Sequence, residues 1–170
     1  MKIIEAMKQI KDLMRKAEDL RQRVHVSAAD LDIENPKYEN QKEKVAGWIQ
    51  AHSDILKEIL RLRYAIQKTN ISTMVKVELG GVVVEKSIAE WIHRRRDLAK
   101  LDLDMWMRLS DRNLKDGQLT QSDGSKREVK VRRYYNPEER DEKSSMYKSE
   151  PLMIDARLEV VNATTDLIED

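Results

Sequence analysis

Leu62-Arg63-Tyr64-Ala65-Ile66-Gln67-Lys68-Thr69-Asn70-Ile71-Ser72-Thr73 closes one long amphipathic pattern. Ile154-Asp155-Ala156-Arg157-Leu158-Glu159-Val160-Val161-Asn162-Ala163-Thr164-Thr165 closes another. The two align without a gap: Leu62 on Ile154, Ile66 on Leu158, Asn70 on Asn162 and Thr73 on Thr165. Apolar residues four apart share one helical face, and each segment then ends on Asn, Ser or Thr, and Thr. Asn tolerates the left-handed conformation of a helix stop, and hydroxyls bond the freed backbone groups, so both helices are expected to end on left-handed Asn caps. Two stops of one chemistry predict either two equivalent corners of one fold or two halves of one polar site. In the second case Asn70, Thr73, Asn162 and Thr165 would serve a ligand together.

Working outward, Ile3, Met7, Ile10, Met14, Ala17, Leu20 and Val24 mark a first helix over 2–25. Asn35-Pro36 reads as cap and first helical position of a second, over 36–69, with Val45, Trp48, Ile49, His52, Ile55, Ile59 and Leu62 on its apolar side. The period then drops to two: Val75, Val77 and Leu79 alternate with Lys76 and Glu78, and Gly80-Gly81 suits a two-residue turn. This is a hairpin over 74–84, whose Val82-Val83-Val84 run should pack on helices or on another subunit. A third helix over 86–113 starts at Glu85 or at the Ser87…Glu90 capping box, with Ile88, Trp91, Ile92, Leu98, Leu101, Met105 and Leu109 inward. A hairpin arm spans 117–135, and Asn136-Pro137 opens a last helix over 137–162 that Pro151 should kink or interrupt. The fold class expected is mainly α: a bundle of long antiparallel helices with one or two short β-hairpins, in a single domain, 1–170.

Composition narrows the function. Lys and Arg number 32 against 31 Asp and Glu, so a net charge of +1 gives no global attraction to nucleic acid or membrane. Charged residues reach 37% with only five Gly and three Pro, which favours long solvated helices. Long thin helices build a modest core, so association into a homo-oligomer is the expected way to bury more. Cysteine is absent, which removes disulfides, thiol catalysis and thiolate metal sites. No signal peptide or membrane span is read at the N-terminus or elsewhere, and the expected location is the cytoplasm.

The repeat, with Ile66-Gln67-Lys68-Thr69-Asn70, the Gly hairpin followed by Arg95-Arg96-Asp97, and the closing Asp155…Asn162-Ala163-Thr164-Thr165-Asp166-Leu167, resembles the septicolysin-like family. These are small, largely uncharacterised helical proteins of bacteria and phages, and the resemblance covers most of the chain. The sequence departs from the family pattern at Ala163, where members carry Trp, and at Pro151. The resemblance brings no catalytic residue with it.

Two basic clusters remain. Arg94-Arg95-Arg96-Asp97 fans around a helix, so the three arginines do not face one ligand together. The cluster is either a salt-bridged surface or a place where Arg95 and Arg96 hold a phosphate or carboxylate while Asp97 orients the guanidinium. Lys126-Arg127…Lys130…Arg132-Arg133-Tyr134-Tyr135 alternates as a strand would, placing Lys130, Arg132 and Tyr134 on one face. Guanidinium beside a ring suits a nucleotide, phosphate to Arg132 and base to Tyr134; a solvated arm is the plainer reading. No zinc finger, helix-turn-helix or RNA-binding sheet motif is present, so long DNA or RNA is not expected. His25, His52 and His93 stand apart, no metal spacing occurs, and no Ser or Thr has an assignable base, so neither metal, cofactor nor catalysis is expected. The reading is a non-enzymatic, homo-oligomeric protein that captures a small anionic, nucleotide-like ligand. In a phage setting it would sequester a host immune signalling nucleotide. The alternative is a structural or adaptor protein, such as a virion assembly component, whose helical seams bind protein.

Overall fold

In the computed structural model, which describes residues 1–169, the chain is mainly helical with two small antiparallel hairpins. Helix α1 spans Ile3–Ser27 and α2 spans Gln41–Ser72. Strands β1 (Met74–Leu79) and β2 (Val82–Ser87) form the first hairpin. Helix α3 (Ile88–His93) passes through a π-helical turn, Arg94–Leu98, into α4 (Ala99–Met107). Strands β3 (Gly117–Thr120) and β4 (Lys126–Val129) pair with Leu119 opposite Arg127, and α5 covers Pro137–Thr164. The chain divides into two compact units. One holds Met1–Met74, Ser87–Ala89 and the chain from Leu158 onward; the other holds Val75–Lys86 and Glu90–Arg157.

In the first unit the repeated helix ends are equivalent corners. The Thr73 N–H closes the last turn of α2 on Thr69 O at 2.9 Å, and the Thr165 N–H closes that of α5 on Val161 O at 2.8 Å. Each threonine carbonyl then caps another helix: Thr73 O accepts from Ile88 N–H at 3.0 Å, and Thr165 O from Ile3 N–H at 3.1 Å. Ile3 and Ile88 are both fully buried as the first residues of their helices. The stop lies later than the sequence reading placed it. Asn70 and Asn162 sit inside the last helical turns, and the non-glycine residues with positive φ among those described are Arg112 and Asn113. The backbone has no need of a left-handed cap here, because each threonine bonds back four residues through its N–H and caps the start of another helix through its carbonyl.

The first unit is cored by Ile3, Ala6 and Ala17 of α1 and by Ile59, Leu62, Ala65 and Thr69 of α2. Thr69 is buried with its hydroxyl donating to Ala65 O and accepting from Ile168 N–H, both at 2.8 Å. Met7 and Met14, expected inside, are exposed, as is Ile49; the small side chains Ala6 and Ala17 let the helices approach along a different row. Helix α2 begins at Gln41 rather than Pro36: Gln41 Nε2 donates to Ser27 O at 2.9 Å, so this pairing with the end of α1 starts the helix.

In the second unit β1 buries Val75, Val77 and Leu79, and the Trp91 indole, fully buried, donates to Val75 O at 2.9 Å. Gly80 and Gly81 take φ of 56° and 79°, as the two-residue turn requires. Within the chain Val82 and Val83 are exposed and Val84 is half-buried, so the run is not covered by its own helices. Past the π turn, the inward row uses Ala99, Asp102, Leu103 and Trp106, so Leu98, Leu101 and Met105 face outward, contrary to expectation. The helical stretch ends at Met107, not 113, and β4 ends at Val129, leaving 130–136 outside any strand. Asn136 Oδ1 accepts the Glu138 N–H at 2.9 Å and caps α5 as the Asn-Pro signal predicts. Helix α5 runs unbroken through Pro151; buried Glu150 and Ile154 hold the chain on either side of the missing N–H.

Candidate functional site

The basic residues of the second unit are arranged by carboxylates. Arg94 fills the first position of the π turn, and its Nε and Nη2 donate to the two oxygens of Glu150, both at 2.7 Å. Its Nη1 donates to Asp102 at 2.5 Å, and its guanidinium lies 5.7 Å from the Tyr147 ring centre. Glu150 is only 1% exposed. A carboxylate without water needs a bidentate partner, and Arg94 supplies it. The bond to Glu150 raises the Arg94 pKa, and burial raises that of Tyr147.

Arg95 and Arg96 diverge, as helical geometry requires. Arg95 pairs with Asp155 at 2.7 Å, and Arg96 Nε donates to Asp97 Oδ2 at 3.0 Å. The second oxygen of Asp97 is buried and unpartnered among the described residues, as is Asn70 Oδ1 in the first unit. Arg132 is exposed and Tyr134 is 87% exposed; lying beyond β4, they share no strand face. Asn70, Thr73, Asn162 and Thr165 belong to the corners of the first unit, whereas Arg95, Arg96, Asp97, Arg132 and Tyr134 belong to the second.

Sequence reading missed a polar knot beside the start of α5. Arg133 donates through Nε at 2.8 Å and Nη2 at 2.5 Å to Asp111, and Tyr135 Oη donates to the same carboxylate at 2.8 Å. These bonds, Arg133 first and Tyr135 second, hold the Asp111 pKa down at about 2, and the carboxylate in turn raises that of Tyr135. The Arg140 guanidinium stacks 5.6 Å from the Tyr135 ring and donates to Leu109 O at 3.2 Å and to Asp141 at 2.8 Å. Arg133 and Tyr135 lie more than twenty residues from Asp111, and no local spacing joins them to it.

Next to this knot lies a cavity of about 610 Å³. Leu103, Met107 and Leu109 give it an aliphatic wall; Arg140, Ser144 and Lys148 line it from α5, together with Ser110, Ser145 and Asp141, whose carboxylate is taken up by Arg140. Arg140, Ser144 and Lys148 stand four residues apart, so they form one row on a single helix face. Arg140 is already fixed by its neighbours, while Lys148 is exposed and forms no hydrogen bond or ion pair among the described residues. The arrangement offers two cations flanking a hydroxyl, opposite an apolar surface.

Among the described residues there is no group of three or more His, Asp or Glu that could hold a metal ion, and no helix long and apolar enough to cross a membrane.

No family model matches the chain, and no curated protein is similar to it in sequence. One solved structure is similar: a crystal structure of a functionally unknown conserved protein from Corynebacterium diphtheriae, with a TM-score of 0.55 and 19% identity over 99% of each chain. At that identity the likeness is one of fold.

Proposed function

We propose that this septicolysin-like chain is a non-enzymatic, homo-oligomeric binding protein that captures a small anionic, nucleotide-like ligand without altering it. The observation that carries the ligand reading is the Arg140–Ser144–Lys148 row opposite Leu103, Met107 and Leu109. Arg140 and Lys148 stand two turns, about 12 Å, apart along α5 with the Ser144 hydroxyl midway, a span that suits the phosphate end of a nucleotide-like anion held by long side chains from either side. The apolar body of such a ligand fits the aliphatic wall, and the cavity volume lies within the usual range for small-molecule sites. Arg95 and Arg96 do not line this cavity and pair with Asp155 and Asp97, so they contribute less to this reading.

Calorimetry against a panel of cyclic and linear nucleotides tests it. Lys148→Ala is expected to weaken binding by roughly ten- to a hundred-fold, or about 1.5–3 kcal/mol, the usual worth of one charge-assisted contact. Ligand recovered intact after heat denaturation would distinguish capture from turnover. If no nucleotide binds tighter than millimolar, the capture reading fails. The adaptor reading, which the exposed Val82 and Val83 of β2 favour, then takes its place.

A further inference from the structure

We infer that α2 carries a self-complementary seam through which a second copy of this chain docks across a two-fold axis at Leu60. This rests on the homo-oligomer half of the proposed function and is independent of the ligand half. Ile49, Ser53, Leu56, Leu60, Tyr64, Gln67 and Ile71 form one exposed row of α2, and none is charged in a chain of 37% charged residues. The row turns away from Ile59, Leu62 and Ala65, which face the core. Its five large members are all about half exposed or more, with Leu60 and Ile71 at 68%.

The spacing is what commits the occupant. From Ile49 the row advances by four, three and four residues to Leu60, then by four, three and four to Ile71. It is therefore a palindrome about Leu60. When two such helices pack antiparallel across a dyad, residue 60 + k faces the partner's 60 − k. Leu60 meets its own copy, Leu56 meets the partner's Tyr64, Ser53 the partner's Gln67 and Ile49 the partner's Ile71. Every apolar residue finds an apolar one and every neutral polar residue a polar one. An unrelated partner would not require that symmetry.

A hollow sits where the pairing needs one. Ile49 borders a cavity of about 450 Å³ in the first unit, together with Leu20, Val24 and Ala28 and, at its polar edge, Arg21, His25 and His52. The dyad brings the partner's Ile71, an exposed knob at the far end of the row, to that cavity, and repeats the contact at the other end. The rim is charge-balanced on its own helix, with Lys57 on Asp54 and Arg61 on Glu58.

The areas agree. The seam is about 33 Å long. It removes on the order of 600 Å² per copy, or roughly 1,200 Å² for the pair, which reaches the size of specific interfaces.

Light scattering on the intact protein, with Leu60→Glu beside it, is the test. The wild type is expected at a multiple of 20.0 kDa. Leu60→Glu sets two carboxylates face to face on the dyad and should lower that mass by half, with an unchanged circular dichroism spectrum. Because the chain has no cysteine, single-cysteine variants add a second readout with a short bis-maleimide. Leu60→Cys should link to itself, and Ile49→Cys should link to Ile71→Cys only when the two are mixed. A monomeric wild type would overturn the homo-oligomer reading and this seam together. An oligomer whose mass survives Leu60→Glu, or Ile49→Cys linking to itself, would overturn the seam alone.

Discussion

Glu150 shows how much one residue depends on its partner. Fully buried, it takes two hydrogen bonds from Arg94, so Arg94→Met should destabilise the fold by about 3–5 kcal/mol by leaving a buried carboxyl group unmatched. Arg94→Met with Glu150→Met should recover most of that loss, because the expense lies in the unmatched carboxyl group; denaturant midpoints of the two variants check it. Thr69→Val keeps the shape but strands the Ile168 N–H, and should cost about 1–2 kcal/mol in the same assay. Asp111 titrates in a definite window. Its carboxylate is depressed to about 2, so its contribution is complete above the ordinary aspartate value near 3.8 and is lost as pH falls through about 2. Carboxyl NMR shifts of Asp111 should stay at their ionised values at pH 3.5, where other exposed aspartates have begun to protonate; a midpoint near 4 would contradict the Arg133 and Tyr135 bonds. At this scale the sequence disclosed the fanning of Arg94, Arg95 and Arg96, which is helical geometry. It did not disclose Glu150 or Asp111 as partners, since tertiary contact alone selects them among 31 acidic residues.

At the scale of elements, periodicity located the helices and both hairpins, with ends displaced by as many as six residues, and misplaced what ends them. The repeated Asn-x-Ser/Thr-Thr was read as a left-handed stop, yet the physical stop is the threonine backbone, which bonds its own helix and the next one. A local propensity lost to a tertiary hydrogen bond that sequence does not display. Pro151 is the same lesson, as an interior proline held in place by buried neighbours. The β1–β2 turn is where local chemistry did decide. Gly80→Ala and Gly81→Ala should each cost about 1–2 kcal/mol for left-handed backbone. Gly80→Ala should cost more, because its new Cβ would lie 3.2 Å from Met146 Sδ whereas Gly81 faces open space. Equal thermal shifts for the two variants would contradict that contact.

At the scale of the molecule, amphipathic stripes announced which residues are apolar but not which are covered. Met7, Met14, Ile49, Leu101 and Met105 were read as core and lie in solvent in the single chain, while small residues such as Ala6, Ala17 and Ala99 lie inside. An apolar stripe on a helix is the same signal whether its partner is the same chain or another copy, so the two uses were not separable in sequence. The proposed ligand cavity was illegible for a related reason: Arg140, Ser144 and Lys148 are ordinary members of a charged helix until Leu103, Met107 and Leu109 are brought opposite them. Native mass spectrometry of protein purified from cells tests the central claim most directly, since one spectrum reports subunit number and retained ligand. The account predicts a multiple of 20.0 kDa carrying a small anionic adduct that is released on denaturation. A bare 20.0 kDa chain would contradict it.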